Sequence, residues 1–396
     1  MTTARDFIDG PWRAVPVLGV TQILSWGTIF YTPVLILPLV AHERGWSISF
    51  AMGGFSFGLL VAGLSSPYIG RAIDRFGGHV VMTAGSLVGA LGLFLIVHAA
   101  SKAAYFAVWT VLGIGMAANL YDAAFGSLGR IFGADARRPI TALTLAGGFA
   151  STVSWPATHF LLDAIGWRET YLVYAMLLAL ISAPLHALAL PRSRAEVRML
   201  ASGDTAAPVK VLPPYGLPFV LVAAAFASYA FVPSGLSAHL LAIFARGGVD
   251  AGTVVWIGAL FGPAQVGARL IEFAFGRNLH PLHVVRFALG ALLCAFAMLM
   301  LLGISAPVAA AFALMFGGAN GLVTITRGAV PLALFGASGY GRLMGRLAGP
   351  WLLMQAAAPL MMAFVVDRVS DRGALMLAAG FAAVALICFV TIRRPA

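Results

Sequence analysis

Twelve runs of apolar residues, each about the length of one bilayer crossing, leave this chain few folds to choose from. They lie near 14–40, 49–69, 80–100, 103–128, 139–163 and 168–190, then near 217–244, 251–275, 282–304, 306–330, 345–366 and 373–392. A helix needs about 20 apolar residues to cross the hydrocarbon core, so twelve crossings use roughly 240 residues of the 396 present. Composition agrees: 61% of the residues are hydrophobic and 10% charged, against about 45–50% and about 25% in soluble domains. The expectation is an all-α integral membrane protein. The longest polar stretch, 191–216, is the only linker long enough to separate two six-helix halves, 1–190 and 217–396.

The net charge of +11 would suggest nucleic acid as a partner in a soluble protein. Sorted by side of the membrane, the same charges become a topology record. With the N-terminus placed in the cytoplasm, only Arg44, Lys102, Arg168, Arg246, Arg368 and Arg372 of the 25 Lys and Arg fall outside. The other nineteen fall inside, as the positive-inside rule requires. One missed helix would scramble that alternation. Both termini are therefore expected in the cytoplasm, with the body in the plasma (inner) membrane, anionic lipid favoured at the cytoplasmic face and no nucleic-acid partner.

Several chemistries are excluded or unsupported. The only lysines, Lys102 and Lys210, are followed by Ala103 and Val211, so a phosphate-binding loop ending in G-K-[ST] is impossible, and a gradient is expected to drive any transport. Cys294 and Cys388 lie in apolar runs without C-x-x-C spacing and are expected to be buried, with no disulfide or zinc implied. His42-Glu43 meets Trp46 where a second zinc-binding His would stand. Gly54-Phe55-Ser56-Phe57-Gly58 imitates a hydrolase elbow but sits inside an apolar helix rather than a strand–turn–helix. Gly54 and Gly58 read better as a close-packing face. Gly113-x-Gly115 fails as a dinucleotide fingerprint for the same reason. No enzyme, cofactor or metal is expected. The first apolar run follows Arg5, Asp6, Asp9 and Arg13 and exceeds 25 residues without a cleavage pattern, which argues against a secretory signal.

The chain repeats itself at an offset near 200. Arg44-Gly45 matches Arg246-Gly247, Pro33 matches Pro233, and His79-Val80-Val81 matches His283-Val284-Val285. Arg75 matches Arg277, Pro156 matches Pro359, and Asp163 and Arg168 match Asp367 and Arg372. Six helices per copy gives both copies the same topology, so the halves form parallel repeats about an axis along the membrane normal, with a site at their interface.

Between spans 2 and 3 stands Gly70-Arg71-Ala72-Ile73-Asp74-Arg75-Phe76-Gly77-Gly78-His79. This resembles the loop motif of major facilitator transporters, G-x-x-x-D-R-x-G-x-[RK], with His79 in place of the final base. The resemblance covers the whole chain and implies a twelve-helix major facilitator fold. It also implies a gate formed by Gly70, Asp74, Arg75 and Gly77, with Asp74 meeting the start of span 11 beside Arg342 and Arg346. A solvated turn is the alternative. Trp109 stands where the drug-exporter motif has Arg, and Trp155-Pro156 replaces the antiporter Gly-Pro. Gly113-x-Gly115, Tyr121, Arg137-Arg138 and Thr144-Leu145-Ala146-Gly147-Gly148 resemble the monocarboxylate and oxalate:formate branch.

Charges inside membrane helices are costly and point to function. Asp122 in span 4, Arg269 in span 8 and Arg327 in span 10 lie deep enough to qualify. Arg269 and Arg327 are candidate anion-binding groups, since guanidinium forks fit carboxylates. Asp122 is a candidate proton-coupling group. The alternatives are a permanent Asp122–Arg327 pair and an Arg269–Glu272 pair at i,i+3. Tyr31, Asn119, Asn320 and Trp155 are further candidate substrate contacts, and Gln22, Trp26 and His159 weaker ones. Trp155-Pro156 is expected to kink span 5, and Gly341, Gly345 and Gly349 to form a helix-contact stripe.

These features predict a monomeric secondary transporter of a small solute, an organic anion such as a monocarboxylate, working by alternating access as a proton symporter. A proton-driven exporter of cationic or metalloid toxicants using Asp122 is a rival. A non-transporting membrane sensor or scaffold is another; tails of about 13 and 4 residues count against the soluble signalling domain expected of it.

Overall fold

The computed structural model describes residues 10–192, 215–237 and 239–393. Most of the expected 191–216 linker therefore lies outside the described residues, as do Arg5, Arg194, Arg198, Lys210 and Arg394. Every regular element among the described residues is helical. Among the described residues ten apolar helical stretches are long enough to cross a membrane. One of them, Lys102–Ala189, has 88 residues and is too long for a single crossing, so a count of twelve requires three crossings from it. Large apolar side chains face outward in numbers no soluble surface would carry, among them Leu301, Phe275 and Trp256 at 83%, 81% and 77% exposure. The chain is a multi-pass integral membrane protein.

Two compact units form: residues 1–209 with 336–349, and residues 210–335 with 350–396. The first contains α1 (Ala14–Ser25), α2 (Thr32–Arg44), α3 (Ile48–Phe76), α4 (Gly78–His98), α5 (Lys102–Asn119), α6 (Tyr121–Phe132), α7 (Arg137–Gly147) and α8 (Ala150–Leu177). The second contains α9 (Leu217–Leu236), α10 (Leu240–Arg246), α11 (Ala251–Phe275), α12 (Pro281–Leu302), α13 (Ala306–Phe335) and α15 (Asp371–Thr391). Helix α14 (Tyr340–Arg368) begins in the first unit and ends in the second.

Breaks in the helices have local causes. Pro33 has no N–H to return to the preceding turn, and the chain ahead of it widens into π geometry over Trp26–Tyr31, with the Thr32 amide reaching Gly27 O. The matching Pro233 lies one turn before the gap between α9 and α10. In span 4 the helix stops at Leu120, whose ψ is −174°. Asn119 turns its amide back to Gly115 O at 2.9 Å, the backbone competition that disfavours Asn within helices. At Trp155-Pro156 α8 keeps its helical assignment, and it breaks at Gly166, with φ 83° and ψ 174°. Proline removes one hydrogen bond, whereas a positive φ reverses the chain locally, and Gly166 is where the chain turns toward span 6.

The glycine faces behave as packing surfaces. A Cβ at Gly54 or Gly58 would run into the Trp109 indole, which is fully buried. Gly113 and Gly115 lie against Gly58 and Gly89. The cysteines differ from expectation: Cys294 is exposed and Cys388 half-buried. A membrane helix can turn an apolar cysteine outward to lipid, so hydrophobicity did not imply burial.

Candidate functional site

The first unit holds a hydrogen-bonded polar network in its interior. His186 is fully buried; its Nε2 lies 2.9 Å from Thr21 Oγ1 and its Nδ1 3.1 Å from Ser86 Oγ. Ser86 Oγ donates to Asn119 Oδ1 at 2.9 Å. Gln22 Nε2 donates to the Asn119 carbonyl at 2.5 Å, and Trp26 Nε1 donates to Gln22 Oε1 at 3.0 Å. The carbonyl left open by the break at Leu120 is thereby satisfied from span 1. Asn119, a candidate substrate contact, is fully buried with its side chain engaged by Ser86 and Gly115.

That break positions Tyr121 and Asp122 in the first turn of α6, where a carboxylate is favoured by the helix dipole. Tyr121 lies 5.1 Å from the Trp26 ring centroid and stacks on Phe125 at 5.2 Å. Gly147 leaves room for the Tyr121 hydroxyl. Tyr31 extends the aromatic group, 5.9 Å from Trp26. Trp155 is 48% exposed on α8, and no described ring contact joins it to that group. His159 pairs with Asp163 at 2.9 Å, both well exposed.

In the second unit charged groups are buried: Arg269 and Glu272 on α11 and Arg327 on α13 are 3%, 7% and 7% exposed. The Arg327 guanidinium lies over the Trp351 ring at 4.1 Å, and Tyr229 lies 6.2 Å from the same ring. Tyr229 OH donates to Asn320 Oδ1 at 2.8 Å. Arg269 Nε donates to Gly321 O, the next residue along, at 3.4 Å. Gly317 and Gly321 let α13 approach the backbone of α11 at Phe261 and Gln265. Asn320, Arg327 and Arg269 are thus gathered with Tyr229 and Trp351 into one cluster. A flat cation beside aromatic faces and hydrogen-bonding groups suits a planar anion. Asp122 belongs to the first unit and Arg327 to the second.

The loop motif also has a defined geometry. Asp74 accepts the Gly341 amide on Oδ1 at 2.9 Å and the Arg342 amide on Oδ2 at 2.8 Å, so its carboxylate sits on the N-terminus of α14. Gly70 lies directly against the Gly341 carbonyl, and Gly345 against Ser66 O. Gly349 continues the stripe toward Gly63 O. Gly77 takes a φ of 86° to end α3. Arg75 is exposed and lies over the Phe76 ring at 5.0 Å, and Arg346 is half-buried on α14.

Sequence reasoning passed over His186 and Trp351. His186 had a signal: an ionisable residue near the end of an apolar run that the positive-inside rule does not need. Trp351 had none, because one more aromatic in an apolar helix is unremarked until its neighbour is known.

A relative, "Monocarboxylate transporter 11" of Mus musculus, is 30% identical over 176 residues, 42% of this chain and 37% of that protein. The chain thus aligns with little more than a third of that relative's length. Among solved structures, the human organic anion transporter MFSD10 (TETRAN) superposes with a TM-score of 0.73 at 18% identity, covering 96% of this chain and 99% of that one. FucP in its outward conformation superposes with a TM-score of 0.70 at 12% identity, covering 95% and 97%. At these identities the two structures establish the fold alone. A family model for the Major Facilitator Superfamily matches residues 17–345, and the chain belongs to that superfamily, whose members carry small solutes across membranes.

Proposed function

We propose that the solute is a small organic anion such as a monocarboxylate, moved by alternating access between 1–190 and 217–396 in symport with protons. The observation that carries this reading is the cluster of Arg269, Arg327, Trp351, Tyr229 and Asn320. Among the described residues two guanidiniums are buried in the second unit against one carboxylate, Glu272. Charged groups are expensive to keep in a membrane helix bundle, and a substrate carboxylate would match the excess guanidinium in charge and shape. Tyr31 and Trp155 would contact the solute from the first half. Asp122 would carry the coupling proton. Gly70, Asp74, Arg75, Gly77 and Arg346 would form the gate, closing when Asp74 caps α14 and opening when that cap is lost. Both termini would face the cytoplasm at the plasma (inner) membrane. The mouse relative's name supports a carboxylate cargo within the aligned portion.

The test is uptake of labelled monocarboxylates into proteoliposomes with and without an inward proton gradient. Arg327→Gln and Arg269→Gln should each reduce uptake by about 10–100-fold, the value of a charge-assisted hydrogen bond. Asp122→Asn should remove the response to the proton gradient while leaving exchange. If both arginine variants transport at the parental rate, the anion reading fails. If Asp122→Asn alone abolishes resistance to a cationic toxicant, the exporter reading replaces it.

A further inference from the structure

At the arginine-rich end of the first unit a cavity of about 430 Å³ opens where the start of span 1, the end of α6 and the end of span 6 come together. Its wall includes Arg13, Ile131, Ala187, Leu188, Leu190 and Arg192. Among the described residues two guanidiniums line it and no carboxylate does. Arg13 Nε is buried and has no hydrogen-bond partner among the described residues. A buried donor left unpaired costs about 1–3 kcal/mol, so among the described residues the site is short of an acceptor. The remaining wall is apolar and continuous with the outer face: Leu188 is 81% exposed, facing the hydrocarbon of a bilayer.

We propose that this cavity binds a phosphate ester, presented as the headgroup of an anionic phospholipid whose acyl chains lie along Leu188. The phosphate oxygens would accept from Arg13 and Arg192, the pairing guanidinium geometry favours. Basic pockets between membrane helices on the cytoplasmic side are suited to such headgroups. A cavity of this size falls within the range for small ligands, with room for glycerol as well as phosphate. None of Asp122, Arg269 or Arg327 takes part, so this site stands or falls apart from the transport reading.

The experiment measures the Tm of the purified full chain in neutral detergent with phosphatidylglycerol, phosphatidylcholine or inorganic phosphate added. Phosphatidylglycerol should raise Tm by several degrees over phosphatidylcholine through ligand linkage, and Arg13→Gln/Arg192→Gln should lose most of that rise while matching the parent in phosphatidylcholine. A rise with inorganic phosphate that the double variant loses would keep the site and name free phosphate as its source. If the double variant folds poorly, Arg192→Glu, at an exposed position, carries the same expectation. No rise with either ligand, or an equal rise in the variants, overturns the proposal.

Discussion

The two units keep polar groups inside an apolar bundle by different chemistry. In the first unit, Thr21, Gln22, Ser86, Asn119 and His186 hydrogen-bond to one another or to backbone carbonyls. In the second, Arg269, Arg327 and Glu272 are buried, with Arg269 against backbone and Arg327 over an aromatic face. A hydrogen-bonded network satisfied at both ends rigidifies its helices at little net cost. A buried guanidinium carries a desolvation penalty of several kcal/mol, which a buried carboxylate or a bound anion can offset. Under the proposed function the first unit is the scaffold and the second supplies the binding surface.

The ends of the units show the opposite relation, an ion pair in each. Glu43 at the end of α2 pairs with Arg168 and also accepts from Trp167 Nε1 at 2.8 Å. Arg246 at the end of α10 pairs with Asp371 at 2.6 Å. The partners are 125 residues apart in both cases, so each unit ties the end of its first span to the start of its last with an ion pair. The pairs do not use matched residues, since Arg44 matches Arg246 and Arg168 matches Arg372; attraction between the two helix ends is what the units share.

The strongest way to break the comparison is through backbone contact. Gly345→Val, on the part of α14 that belongs with the first unit, puts side-chain atoms into Ser66 O. It should cost about 3 kcal/mol or more, seen as a large fall in Tm and loss of uptake. Gly380→Val on α15, with no atom within 4 Å of its Cβ, should leave both near parental. Equal effects would deny the close approach. His186→Ala should cost about 2 kcal/mol, since it opens a cavity and removes a partner from two buried hydroxyls. A Tm unchanged by that substitution would mean the hydrogen-bonded network is not what holds the first unit. Smallest are the end pairs: Glu43→Gln and Asp371→Asn should each cost about 0–1 kcal/mol, less at high salt. Glu43→Arg with Arg168→Glu should restore what either change alone removes; a double variant no better than the singles would argue against a simple charge pair.

Much of the fold was legible because its cause is local. Burying about 20 residues in hydrocarbon requires an apolar run, and each run is visible alone. The loop motif was legible because Gly70, Asp74 and Gly77 are close in sequence, and the small-residue stripe at Gly341, Gly345 and Gly349 marked helix contact. Irregularities were harder. The break of span 4 at Leu120 has no proline beside it to mark it.

Sequence alone determined that this chain is a helical membrane protein built from two copies of one plan, and that Asp122, Arg269 and Arg327 lie among apolar neighbours. These follow from the transfer cost of each side chain, which is a property of residues taken one at a time. Tertiary structure decided that Asn119 is held in a buried network while Asn320 joins Tyr229. It also decided that Trp351 lies under Arg327, and that Asp74 caps a helix beginning more than 260 residues later. Those outcomes depend on directional contacts between distant segments, and the direction of a hydrogen bond or the face of a ring is fixed only when the helices have packed.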